Sequence, residues 1–142
     1  MDKDLCAKHN IGLIARVPLD EGGLTGKFTL DTTFEEGDFR REFFSKERLK
    51  ELVKRVNDLN KLLGNEVKTM PELALRYVLS FDEISTVIPG MRKVKNVEIN
   101  TAFSDGKKLS KDLMNALKNH AWERNFYPFK DPSMRSSDYL PV

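Results

Sequence analysis

The residues best suited to chemistry lie in STVIPGMRKVKNVEIN (85–100). Ser85, Thr86, Val87 and Ile88 are strand formers, Pro89-Gly90 makes a sharp turn, and the residues after it read as a helix opening on Arg92. Asn96 and Asn100 then fall one helical turn apart. A strand that runs through a glycine turn into a helix start makes an anion site. The glycine lets the backbone approach closely, the free helix N–H groups point outward, and the helix dipole adds partial positive charge. Arg92 adds a planar fork of donors suited to a phosphate monoester. A second glycine-rich stretch, VPLDEGGLTGKF (17–28), holds Gly22, Gly23 and Gly26 beside Thr25 and Lys27. It is not a P-loop, because the glycine spacing differs and no Ser or Thr follows Lys27.

Composition narrows what these stretches can serve. At 142 residues the chain can enclose a core, and 39% apolar with 32% charged residues is a globular balance. The formal charge of +2, from 24 basic and 22 acidic residues, argues against a general nucleic-acid or anionic-membrane surface. Cys6 is the sole cysteine, which rules out an internal disulfide framework and fits a reducing compartment. No apolar run approaches a membrane span of roughly 20 residues, and the first ten residues lack the apolar core of a secretion signal. A cytoplasmic location is the expectation.

The elements that must position the two motifs follow from periodicity. Residues 1–9 read as the tail of a helix, and IGLIARV (11–17) as a strand buried on both faces, as in a parallel sheet. Residues 29–45 read as a long loop anchored by Phe34, Phe39, Phe43 and Phe44. Ser45 caps a helix whose Leu49, Leu52, Val53, Val56, Leu59, Leu62 and Leu63 recur at three- and four-residue spacing, with Gly64 as its C-cap. This row is core rather than a dimer zipper, since it sustains no heptad. Thr69 and Glu72 form a capping box with Pro71 in the first turn, starting a second, nearly all-apolar helix. The helix after Arg92 should run to about Phe103 and stop at Asp105-Gly106. Ser110 caps a last amphipathic helix carrying Leu113, Met114, Leu117, Ala121 and Trp122, and residues 127–142 should be irregular. Cys6 reads as an inert helix cysteine, and His9 and His120 as surface residues. Strand and helix alternate, implying a parallel sheet. Yet only two strands are present, too few to stand alone.

Together the two motifs resemble the C-terminal part of the aldo-keto reductase superfamily. VPLDEGGLTGKF is similar to that family's segment after barrel strand seven. ELALRYVLSFDEISTVIPGMRKVKNVEIN (72–100) is similar to its buried helix, strand eight and cofactor-binding helix. With the Asp38/Arg40 region and the last helix, the resemblance covers about residues 5–125. It implies an α/β fold, strands seven and eight of a (β/α)8 barrel with their helices, over residues 1–126. It also implies NADPH as cofactor. Pro18, Leu19, Gly22, Thr25 and Lys27 would lie along the pyrophosphate, and Arg92 would meet the adenosine 2′-phosphate. Gly90 and Met91 would present backbone, and Asn96 and Asn100 would hydrogen-bond adenine. The sequence departs from the pattern in having Val17 where many members have Ser, and acids at Asp20 and Glu21. The family's catalytic Asp, Tyr, Lys and His have no counterpart here, since they belong to earlier strands. Three readings follow: a cofactor-binding segment of a carbonyl reductase, silent alone and completed by self-association or by a chain carrying the other strands; a dinucleotide-binding fragment without chemistry; or a helical interaction module.

Overall fold

The computed structural model describes residues 3–122, and the expected irregular tail at 127–142 lies outside them. Helix α1 (Lys3–Lys8) leads into strand β1 (Leu13–Arg16). A 3-10 turn (Asp20–Thr25) follows, then a short helix α2 (Arg40–Phe43), the long helix α3 (Lys46–Asn60) and α4 (Met70–Leu79). Strand β2 (Ile84–Ile88), α5 (Val94–Ala102) and α6 (Lys111–Lys118) complete the order. The sheet among the described residues has two parallel strands, with Ile14 opposite Thr86 and Arg16 opposite Ile88. The Ser85 hydroxyl accepts from the Leu13 N–H at 3.1 Å, where the register breaks between Leu13 and Ile14.

Burial on both faces of the first strand is not what the structure has. Leu13 is buried, whereas Ile14 is 61% and Ile88 54% exposed. One face of the pair packs on helices and the other is open. A mostly continuous apolar run cannot announce this, because hydrophobicity records what a face can bury, not what covers it.

The core lies instead between the helices. Leu52, Val56 and Leu59 of α3 and Met70 and Leu73 of α4 pack with Phe43, Phe44, Val67 and Leu109. The 29–45 stretch is largely loop, as expected, broken only by the single turn α2, and three of its four aromatic anchors, Phe34, Phe43 and Phe44, join the core. Phe28 meets Phe34 and Phe44 edge-on at 5.4 and 5.3 Å between ring centres. Phe39 is the exception at 55% exposed.

The caps formed largely as their chemistry dictates. Ser45, Thr69 and Ser110 each accept from the N–H three residues on, in Arg48, Glu72 and Leu113. The capping box is altered, since the Glu72 carboxylate takes the Lys68 N–H at 2.9 Å and Arg76 at 3.0 Å. Gly64 is not a C-cap: α3 ends at Asn60, Lys61 caps it, and the Gly64 N–H donates to the Val67 carbonyl. Arg92 precedes α5 rather than opening it, because the helix starts at Val94.

Arg76 was hidden in the apolar reading of α4. It is 7% exposed and bridges Glu72, Asp105 and the Lys107 carbonyl. This tie fastens the segment after α5 back onto α4.

Candidate functional site

The two glycine stretches, about seventy residues apart, meet because β1 and β2 are adjacent and parallel. Their C-terminal ends therefore open on the same side. Between them lies a cleft of about 510 Å³. Pro18, Leu19 and Gly22 line it from the first stretch, and Gly90, Arg92 and Asn96 from the second. Thr25, Lys27, Met91 and Asn100 are not among its lining residues. The Thr25 hydroxyl donates to the Gly22 carbonyl at 2.6 Å, so it braces the turn. Asn100 is buried at 8% exposed, and its side-chain amide donates to the Gly90 carbonyl at 3.2 Å. It thus pins the Pro89-Gly90 turn to α5. Lys27 and Met91 are exposed.

The first wall carries unusual backbone. Val17, Asp20 and Glu21 all have left-handed φ, at 55°, 51° and 52°. For a β-branched residue such as Val17 this is strained, and such strain persists only where packing over-determines it. The packing is visible at Gly23, which is buried. A Cβ there would stand 2.9 Å from both Leu52 Cδ2 and Asp20 Oδ2. Replacing Gly23 with Val is expected to push the turn off α3. The cost should be about 1–3 kcal/mol of overpacking, read as a lowered Tm and loss of any ligand bound in the cleft.

Gly90 differs, since a Cβ there would meet nothing within 4 Å. Neither packing nor backbone angle requires glycine at that point, so the space its hydrogen leaves is open to a ligand.

Sequence reasoning missed the cationic character of the first wall. Arg16, at the end of β1, and Arg40 both line the cleft with Arg92. Arg40 is held in place: its Nε donates to both Asp38 carboxylate oxygens at 3.0 Å, and its guanidinium lies over the Phe34 ring, 5.1 Å from the centroid. Glu21 is the acid among the lining residues. The tie could have been found from the D-x-R spacing, but nothing in the sequence carries Arg40 to the cleft.

The Arg40 side-chain and backbone donors hold the Asp38 carboxyl at about 2, against an ordinary 3.8. A depressed carboxylate pKa stabilises the fold above the unfolded value and loses that contribution as pH falls through the folded one. The Tm difference between the natural chain and Asp38→Asn is therefore expected to stay constant above pH 3.8 and vanish as the pH falls through about 2.

Residues 3–121 match the Aldo/keto reductase family. The chain belongs to that family. It is 32% identical over 97 residues to aldo-keto reductase yakc [NADP(+)] of Schizosaccharomyces pombe, covering 67% of this chain and 28% of that relative. It is 32% identical over 92 residues to aldo-keto reductase str7 of Strobilurus tenacellus, covering 63% and 27%. Among solved structures, the glycerol dehydrogenase AKR11B4 from Gluconobacter oxydans superposes with a TM-score of 0.75 at 26% identity, over 95% of this chain and 41% of that one. AKR11C1 from Bacillus halodurans, in its holo form, gives 0.57 at 19%, over 89% and 39%, a likeness of fold alone. These neighbours are (β/α)8 barrels. This aldo/keto reductase chain thus spans less than a third of the curated relatives and less than half of the solved ones.

Proposed function

We propose that this chain is the cofactor-binding C-terminal segment of an NADPH-dependent aldehyde or ketone oxidoreductase, contributing barrel strands seven and eight. The observation that carries this reading is the single cleft on which both glycine stretches converge, with three arginines along it. NADP(+) stands in the name of the Schizosaccharomyces pombe relative, and the cleft suits a polyanionic dinucleotide. Arg92, exposed before the uncapped start of α5, takes the adenosine 2′-phosphate. Pro18, Leu19 and Gly22 present backbone along the pyrophosphate, with Arg40 supplying charge and Thr25 and Lys27 flanking. Gly90 and Met91 present backbone on the opposite wall. Asn96, on the first turn of α5, faces the adenine, and Asn100 supports it by holding the Gly90 turn.

When bound, the nicotinamide supplies hydride to a carbonyl carbon. Among the described residues none is placed in the cleft to donate the proton for that step. Tyr77 is half-buried on α4 with its ring against Phe81 at 5.2 Å, and none of the described lining residues is a lysine or histidine. The chain alone therefore binds without turning over. The open sheet face at Ile14 and Ile88, with unpaired strand edges among the described residues, calls for other strands. A second chain carrying them, or self-association, would cover that face.

Titrating NADPH into the chain should shift nicotinamide fluorescence and raise the Tm, with NADH weaker. Nitrobenzaldehyde should not be reduced. Absence of any NADPH-dependent shift would overturn the cofactor reading, and steady aldehyde reduction would overturn the inactive one.

A further inference from the structure

A second cavity, of about 410 Å³, lies on the other side of the Arg16–Pro18 corner, which borders both spaces. Its floor is apolar: Leu24, Leu59, Leu73, Tyr77, Leu117 and Trp122 contribute from the 3-10 turn, α3, α4, α6 and the residues after α6. The volume falls within the range of small-molecule sites. Among the described residues its charged lining is one-sided: Arg16 stands at the margin with His120, which is half-buried here rather than at the surface, and none of the described lining residues is Asp or Glu. Among the described residues Arg16 forms no ion pair. An apolar chamber with one uncommitted guanidinium at its edge is complementary to an amphipathic anion. Burying carbon skeleton supplies affinity, and the planar fork selects a carboxylate over an alcohol.

We propose that this cavity is a second ligand site, distinct from the cofactor cleft, that takes a hydrophobic carboxylic acid of medium chain length or with an aromatic ring. The carbon skeleton lies among Leu59, Leu73, Leu117 and Trp122, and the carboxylate pairs with Arg16, the His120 ring adding a polar contact. Because Val17 and Pro18 border both spaces, an occupied cavity also supports the wall of the cleft beyond it.

Trp122 is the sole tryptophan of the chain and lines the cavity, so its fluorescence reports occupancy directly. Decanoate titrated into the full chain should change that emission saturably, and decanol should bind about tenfold more weakly, the worth of one charge-assisted contact. Arg16→Gln should bring decanoate down to the level of decanol. Ala74→Phe, which puts a ring into the cavity, should abolish binding of both. Should that variant fail to fold, Arg16→Gln still decides the matter, because Arg16 is an exposed side chain. Equal affinity for decanoate and decanol, or no effect of Arg16→Gln, would overturn the proposal. So would decanoate binding that Ala74→Phe leaves intact.

Discussion

Replacing Arg92 with Ala is expected to weaken NADPH binding by roughly 10- to 100-fold while leaving NADH binding nearly unchanged. A hydrogen bond to a charged group is worth about 1.5–3 kcal/mol, and about 1.4 kcal/mol is tenfold in affinity. Arg92 is exposed, so its charge is hydrated without ligand and removing it should cost the fold little. It lies two residues ahead of α5, whose N-cap residue Lys93 makes no side-chain capping bond. A phosphate there meets both the guanidinium and the unsatisfied N–H groups of the helix start. The remaining affinity of the variant should fall less steeply with salt than that of the natural chain, since one ionic contact is gone. The measurement is a pair of nicotinamide-fluorescence titrations at two ionic strengths. An equal loss for NADPH and NADH would mean that Arg92 supports the turn rather than reads the 2′-phosphate.

The largest effect on stability is expected at Arg76. Its guanidinium meets Glu72 at 3.0 Å and Asp105 at 2.7 and 3.1 Å, donates to the Lys107 carbonyl at 3.1 Å, and lies 5.5 Å from the centre of the Phe103 ring. Arg76→Ala strips all of these and leaves the largely buried Glu72 carboxylate with the Lys68 N–H but no countercharge. Breaking a buried pair by removing one partner costs about 3–5 kcal/mol. Asp105 is about a third exposed, and water recovers part of its loss, so about 3 kcal/mol is expected, a fall of roughly 10 °C in Tm. Asp105→Asn should cost less, because Arg76 keeps Glu72. The Arg76 contact holds the Asp105 carboxyl well below the usual carboxylate range. Its stabilisation is thus complete at neutral pH, and acid removes it only below the pH at which ordinary carboxylates protonate. Equal Tm values for the natural chain and Arg76→Ala would show the tie to be dispensable.

The two positions also differ in how plainly the sequence announces them. Arg92 stands beside a Pro-Gly turn and ahead of a helix, and local chemistry alone marks it. Arg76 sits in ELALRYVLS, where it reads as one charge on an otherwise apolar helix. Its partner Asp105 is 29 residues away in what looks like a helix terminator. The Gly106 backbone does take a left-handed φ of 80° there, as a terminator should. The ion pair through Asp105 adds a long-range tie that no local pattern encodes.

Capping follows the same division. Ser45, Thr69 and Ser110 cap as their types require, because a cap is made within four residues. Gly64 is not the C-cap because α3 ends earlier, at Asn60 with Lys61 as its cap, and the Gly64 N–H donates to the Val67 carbonyl. The strand at 11–17 shrank to four residues with one bare face, a matter of neighbours rather than of propensity.

What the sequence by itself determined is therefore local: the three capped helix starts, the leucine stripe of α3, the two glycine turns and the arginine near one of them. Each depends on groups close enough in the chain to meet whatever the rest does. Tertiary structure alone decided which of those turns face one another. It carried Arg16 and Arg40 to the cleft, turned Asn100 inward onto the Gly90 carbonyl, and left Lys27 outside. It also opened the apolar cavity behind Val17 and Pro18. The physical reason is the parallel pairing of β1 with β2. One register, set across about seventy residues, aligns two strand ends that no local interaction could bring together.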